Sequence, residues 1–319
     1  MTADLFTQHR GLLTGVAYRI LGNVADAEDV VQETWLRWSE VDHAKVTEPK
    51  AYLIRVATNL AIDRLRRVRA RREAYVGPWL PEPIITTADA AERAELADSV
   101  ELALLVVLET LSPLERAVFV LREAFGLPHA EIAEVVGRGE PAVRQLARRA
   151  REHVRERRPR FDVDRGERRR MTERFLAACV EGDLEGLTSL LARDVTLVGD
   201  GGGKAKAPLR VLYGADHVAR FMASLAGERS LRRLRRAFAA PPSGGLAAEI
   251  GPAGFGVEIT DVNGGPAVLV TVGGVVITML SLVVEDGLIT TVYLVANPEK
   301  LSRLRSMSHP REPGASGRA

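Results

Sequence analysis

Apolar positions over residues 4–75 recur with helical spacing. Leu5, Leu12, Leu13, Val16, Ile20 and Leu21 share one face up to Gly22, which suits a C-terminal stop. Asn23 precedes ADAEDVVQETWLRW, whose early acids favour the positive end of a second helix. Pro49 opens a third, PKAYLIRVATNLAIDRLRRVRARR. Its buried stripe is Leu53, Val56 and Leu60, and Arg55, Asn59, Asp63 and Arg66 occupy a polar face. Residues 76–88, VGPWLPEPIITTA, break the period with three prolines and a glycine and read as a linker. Trp79 and Leu80 are too apolar for a free tether, so they are expected to pack on a surface.

Helical spacing resumes over 89–160. HAEIAEVV, the turn Gly137-Arg138-Gly139 and the segment from Glu140 onward form a helix-turn-helix pattern, with Ile132, Ala133, Val136, Val143, Leu146 and Ala147 as its shared core. Arg144, Gln145, Arg148 and Arg149 point away from that core, where base edges and phosphates would be read. From 168 the character changes. Helical ERRRMTERFLAACVEGDLEGLTSLLA gives way to strand-like runs at 194–199, 208–213, 246–250, 255–260, 267–272, 275–284 and 288–295. Asn263-Gly264-Gly265, Gly273-Gly274 and Asp286-Gly287 mark hairpins between several of them. The pattern predicts an α+β domain with a curved antiparallel sheet, followed by a tail from Arg303 that reads as disordered.

A chain of 319 residues with 46% hydrophobic content implies two or three folded domains. No apolar run reaches the ~18–20 residues of a membrane span, and the start MTADLFTQHR carries no secretory signal, so a cytoplasmic location is expected. The one cysteine, Cys179, makes neither an internal disulfide nor a metal site. The net charge of +2 decides little, but its distribution matters. Basic residues concentrate at 64–72, 144–160 and 229–236, and acids at 26–33 and 89–101, as in a protein that meets both DNA and a protein partner.

Three segments, in order, resemble one family. Asp26 to Trp38 (DAEDVVQETWLRW) is similar to region 2.2 of sigma-70-type factors, which grips the largest subunit of RNA polymerase. Pro49 to Arg67 resembles regions 2.3 and 2.4, which melt and read the minus-10 element. Leu111 to Glu152 resembles region 4, whose helix-turn-helix reads the minus-35 element. The gap between them leaves no room for region 3, which marks the extracytoplasmic-function (ECF, group IV) factors. The remainder resembles a SnoaL-like cone, and one ECF sub-group carries such an extension. Its marks are WLPEP (Trp79 to Pro83), DGGGK (Asp200 to Lys204) and NPEKL (Asn297 to Leu301). Gly139 stands where relatives often have Ser before the recognition helix, an N-cap exchange costing only a few tenths of a kcal/mol.

The resemblance implies a multi-domain chain with two all-α N-terminal domains. Sigma region 2 spans 1–75, the linker 76–88, region 4 89–160, the SnoaL-like α+β domain 168–296, and the C-terminal motif and tail 297–319. Asp29, Gln32, Glu33 and Trp35 are the implied core-polymerase contacts, with one of Trp35 and Trp38 expected in the core. Asn59, Asp63, Arg64, Arg66 and Arg67 are the minus-10 candidates, and Arg144, Gln145, Arg148 and Arg149 the minus-35 candidates. Arg69, Arg71 and Arg72 are expected on phosphates, if anywhere. No aromatic lies between Trp38 and Tyr52 to stack on a captured base. Trp79, Leu80, Pro81, Asp200, Gly201, Gly202, Gly203, Lys204, Asn297, Pro298, Lys300 and Leu301 are expected to build an interdomain regulatory seam. The implied partners are core RNA polymerase and promoter DNA, with no membrane, cofactor, metal or catalysis.

A second class stays open at this point: a ligand-responsive DNA-binding regulator whose SnoaL-like domain binds or turns over a small molecule. Its polar groups would be Asp200, Tyr213, Asp216 and His217, and acid–base work requires them to converge. DGGGK lacks the spacing and following Ser/Thr of a phosphate loop. The region 2 match separates the classes, because ordinary helix-turn-helix regulators have no use for it.

Overall fold

In a computed structural model, which describes residues 2–72, 74–86, 101–157, 164–226 and 255–305, the chain divides into two units. The first comprises Met1–Tyr75 and Thr86–Pro159, and the second Val76–Ile85 and Arg160–Ala319. The expected strand at 246–250, the basic cluster at 229–236, most of the acidic run at 89–101 and the tail from residue 306 lie outside the described residues.

The first unit is helical. Helix α1 (Thr2–Leu21) ends at Gly22, whose φ of 69° supplies the left-handed turn. Asn23 caps α2 (Val24–Glu40) by accepting from the Asp26 N–H at 2.8 Å. A short 3-10 turn (His43–Lys45) leads to α3 (Pro49–Arg72). Leu13, Val16, Ile20, Leu53, Ala57 and Leu65, all fully buried, join these three helices into one core. Helix α4 (Leu102–Leu108) is followed by α5 (Pro113–Phe119), where Ser112 and Glu115 form a reciprocal capping box. A π turn (Val120–Ala124) precedes α6 (His129–Val136), Gly137 and α7 (Glu140–Arg157).

The expected helix-turn-helix core needs one correction. Val136 and Leu146 are only half-buried, and Val135 is buried instead. The reason is a third partner: α6 also packs on α3, which turns Val135 inward. Most of the binding between these parts comes through a buried ionic cluster. Glu109 pairs with both Arg116 and Arg72. Arg116, fully buried, donates through Nε to the carbonyl of Arg19 at 2.9 Å, and Arg69 donates to the carbonyls of Glu109 (2.9 Å) and Leu111 (2.5 Å). Burial alone would push the Glu109 carboxyl up, but Arg116, Arg72 and Arg69 overcome it and hold it below its ordinary value. Burial pushes Arg69 and Arg72 down. These two arginines therefore turn inward rather than toward phosphates, contrary to expectation, because the cluster requires cations around Glu109.

The second unit is α+β. Helices α8 (Arg165–Glu181), α9 (Leu184–Leu190) and α10 (Ala215–Ala226) cover one sheet built from β1 (Leu191–Asp200), β2 (Leu212–Tyr213), β3 (Phe255–Val262), β4 (Gly265–Val272), β5 (Val275–Glu285) and β6 (Leu288–Val295). The strand order is β2-β1-β6-β5-β4-β3. The three hairpins of β3 to β6 turn on Asn263-Gly264, Gly273-Gly274 and Asp286-Gly287, each with both central residues at positive φ, as a two-residue type I′ loop demands. The sheet is mixed rather than wholly antiparallel, because β1 and β6 pair in parallel. They are far apart in sequence and no hairpin constrains their direction. Phe175, Leu187, Val195, Leu197, Val218, Met222 and Val292 form the core between helices and sheet. Helix α11 (Pro298–Arg305) packs on β5 and buries Leu301 and Leu304.

Candidate nucleic-acid interface and docked linker

On α2, Asp29, Gln32 and Glu33 are exposed, and Glu33 bonds Arg37 at 2.9 Å. Trp35 is half-buried against Phe6, ring centroids 5.0 Å apart, whereas Trp38 is 1% exposed and packs on His43 and Tyr52. Of the two tryptophans, Trp38 thus belongs to the core. On α3, Asn59, Asp63, Arg66 and Arg67 are exposed, with Arg66 paired to Asp63 at 2.8 Å. Arg64 leaves this group. It turns to α2 and bonds Asp26 and Asp29, both at 2.6 Å. Burial opposes its charge, but the two carboxylates raise its pKa overall.

Asn59 also has an unexpected partner. Its Nδ2 donates to the Val135 carbonyl at 2.9 Å, joining α3 to the C-terminal end of α6. Beside this contact lies a cavity of about 700 Å³. The α2–α3 loop with Lys45, Glu48, Lys50, Tyr52 and Arg55 lines one side, and Leu127, Glu131, Glu134 and Val135 line the other. Tyr52, whose ring sits under the Arg55 guanidinium at 5.5 Å, is the aromatic that the loop itself lacks. It lies just past the segment searched, one turn into α3.

On α7, Arg144, Gln145, Arg148 and Arg149 are all exposed while Val143, Ala147 and Ala150 are buried. Arg144 pairs with Glu140 at 3.0 Å and Arg148 with Glu152 at 3.7 Å. Such exposed pairs are weak, on the order of 0.3–0.5 kcal/mol, and a phosphate can displace them.

The linker belongs to the second unit, where residues 76–85 run as a strap. At one end the Leu80 N–H donates to Asp200 Oδ2 at 2.8 Å, and Lys300 Nζ donates to the Leu80 carbonyl. Lys300 also bonds Asp200 at 2.5 Å and lies 3.9 Å from the centroid of the Trp79 ring. Leu80 is fully buried, as are the Asp200 and Pro81 positions. At the other end the Ile84 N–H donates to Asn263 Oδ1 (3.1 Å), the Asn263 N–H donates to the Ile84 carbonyl (2.8 Å), and Ile85 bridges to Val262.

The two other motifs hold Asp200 in place. The Ala296 and Asn297 N–H groups donate to its carbonyl at 2.8 and 3.0 Å. Asn297 Oδ1 accepts from the Glu299 N–H at 3.1 Å, so Pro298 opens α11 under an Asn cap. Gly201, Gly202 and Gly203 turn the chain, and Gly201 must be glycine because a Cβ there would stand 2.3 Å from the Ala205 carbonyl oxygen. Lys204 pairs with Glu299. Trp79, Leu80, Pro81, Asp200, Asn297, Lys300 and Leu301 thus meet around one point. Asn263 and Glu82, buried participants of the strap (Glu82 beside Arg303 at 3.4 Å), carried no signal in the sequence.

The polar groups of the enzymatic reading do not converge. Asp216 and His217 line an exposed groove with Arg193 and Arg220, Tyr213 is 66% exposed, and Asp200 is sealed beneath the strap. Among the described residues no cluster of three His, Cys, Asp or Glu has metal-binding geometry, and no helix is long and apolar enough to cross a membrane.

Comparison with known proteins agrees with this geometry. The family model for Sigma-70 region 2 matches residues 5–72, and that for Sigma-70, region 4 matches 101–154. The ECF RNA polymerase sigma factor SigJ of Mycobacterium tuberculosis is 36% identical over 314 residues, covering 95% of this chain and 94% of that protein. The probable ECF RNA polymerase sigma factor SigI of the same organism is 33% identical, covering 93% and 94%. The crystal structure of SigJ superposes with a TM-score of 0.71 at 33% identity, covering 97% of this chain and 100% of that one.

Proposed function

Because this chain belongs to the ECF group of sigma-70 factors, which bind core RNA polymerase and promoter DNA, we propose that its SnoaL-like extension regulates promoter-specific initiation in cis through the strap. The observation that carries the reading is the Lys300–Asp200 pair closed over the Leu80 backbone. It ties the connection between region 2 and region 4 into the extension, so a change in the extension is transmitted along the chain to both DNA-reading regions. The α2 group Asp29, Gln32, Glu33 and Trp35 grips the polymerase. Asn59, Asp63, Arg64, Arg66 and Arg67 serve the minus-10 element, and Arg144, Gln145, Arg148 and Arg149 the minus-35 element. The protein acts in the cytoplasm and is not an enzyme. A small molecule, if one acts, does so by shifting the strap.

The experiment is run-off transcription with core polymerase. It compares the full chain with chains ending near Arg305, near Ala296 and near Arg165. The chain ending near Arg305 keeps Lys300 and should behave as the full chain. The chain ending near Ala296 loses Lys300 and α11 and should change in activity. Equal activity from all four would make the extension a passenger.

A further inference from the structure

Two facts about the helical unit are in tension. The helix-turn-helix reads an element about 25 base pairs upstream of the minus-10 element, a separation of roughly 85 Å at ~3.4 Å per base pair. Yet α6, the first helix of that motif, is packed on α3 and takes a hydrogen bond from Asn59. An 18-residue helix such as α7 spans only about 27 Å, and α7 is joined to α6 by three residues. With α6 on α3, the two reading surfaces therefore cannot reach both elements at once.

The contact is more than proximity. The Asn59 amide, on the polar face of α3, donates to Val135 and to its own helix at Arg55. Across the cavity, the exposed carboxylates Glu131 and Glu134 share the lining with the cations Lys45, Lys50 and Arg55. Cations on the α2–α3 loop and α3 are the groups a nucleic-acid strand would neutralise. Here two carboxylates of α6 supply negative charge to the same wall. The Glu109 cluster, linking α1 and α3 to the segments around α4 and α5, holds the assembly closed.

We propose that α6 is an intramolecular cover for the minus-10 surface. In the resting chain its C-terminal carbonyl occupies Asn59 and its acidic edge, Glu131 and Glu134, takes the place of single-stranded DNA beside the α2–α3 loop. The cover must lift before the promoter is melted. The inference rests on the assignment of Asn59 and its neighbours to the minus-10 element.

The test uses the full chain carrying Thr47→Cys and Leu127→Cys, on opposite walls of the cavity. The native Cys179 is buried, its thiol pushed up to about 12 by burial, so a short bismaleimide reacts at the introduced pair. The pair should bridge readily in the free chain and lose the bridge when core polymerase is bound first. Chain bridged beforehand should bind core and yield no transcript from a promoter selected from a random library, whereas the same chain unbridged initiates. Equal bridging with and without core, or full transcription by the bridged chain, overturns the cover. Unbridged chain that binds core but fails to open the promoter counts against the minus-10 assignment, and the bridging yield still reads the cover by itself. A second variant, Glu131→Gln with Glu134→Gln, should tighten binding of a fluorescein-labelled single-stranded oligonucleotide to the free chain several-fold. That gain should vanish on the bridged background. A gain that persists there would reflect charge alone and would count against the cover.

Discussion

Lys300 and Asp200, 100 residues apart in sequence, bond each other at 2.5 Å and clasp the backbone of Leu80 between them. Both are buried, with side chains 6% and 0% exposed. Removing one partner strands the other charge in the interior, at a cost of about 3–5 kcal/mol. Asp200→Ala and Lys300→Met should each lower the thermal stability of the full chain and speed hydrogen exchange at the Leu80 amide. The double variant should cost less than the sum, because the two residues share one interaction. Additive losses would show that the pair does not act as a unit.

Glu109 makes the helical unit sensitive to acid. Its carboxyl is held below its ordinary value in the folded chain by Arg116, Arg72 and Arg69 against the effect of burial. A depressed carboxylate contributes stability that is fully present above the unfolded value, about 4.3, and is lost as pH falls through the lower folded one. Stability of this unit should therefore be insensitive to Glu109 at neutral pH and fall in the acid range below the unfolded value. Glu109→Gln should be destabilised at pH 7 by about 3–5 kcal/mol and show a shallower acid slope. Thermal denaturation across pH checks both.

Arg64 and Arg66, two positions apart on α3, should separate in function. Arg64 bonds Asp26 and Asp29 on α2, whereas Arg66 bonds only Asp63 among the printed ion pairs of its own helix face. Arg64→Ala should weaken core-polymerase binding a few-fold, in line with the ~0.2–1 kcal/mol of a partly exposed pair, because Asp29 loses its anchor. Arg66→Ala should leave core binding unchanged and slow promoter opening. Pull-down on core and abortive initiation distinguish them.

Alanine substitutions along α7 should sort Arg144, Gln145, Arg148 and Arg149 into two kinds. A base-reading position relaxes preference at one minus-35 base, worth ~1–3 kcal/mol of discrimination. A phosphate-contacting position weakens binding to every sequence and lowers the salt slope by about one. Binding titrations at several salt concentrations read both, and four silent substitutions would remove α7 from the interface.

The helix-turn-helix, the three hairpin turns and the order of helices before sheet were legible, because each follows from local periodicity or from a residue that tolerates positive φ. What escaped involves partners distant in sequence. Val135 looks like a surface position of α6 until α3 supplies a second face. Arg116 reads as an exposed charge, yet it is fully buried because Glu109 neutralises it and the Arg19 carbonyl accepts its Nε–H. The parallel β1–β6 pairing has no turn to announce it. The motifs WLPEP, DGGGK and NPEKL were visible as segments. Their meeting at one buried lysine depends on a β-strand end and a helix start that no spacing rule brings together.

The strap makes the C-terminal unit a fold assembled from two separated stretches of chain. Cutting between residues 158 and 163 would not set this unit free, since residues 76–85 on the N-terminal fragment remain part of its structure. The halves of a chain nicked there should copurify as complementing fragments. Conversely, a chain ending near residue 165 retains Leu80, Ile84 and Ile85 without the surfaces that bury them. Exposing an apolar side chain of this size sacrifices ~1.5–3 kcal/mol, so such a chain is prone to self-association. A deletion that also excises residues 76–85, replaced by a polar spacer, separates that stickiness from the loss of the extension.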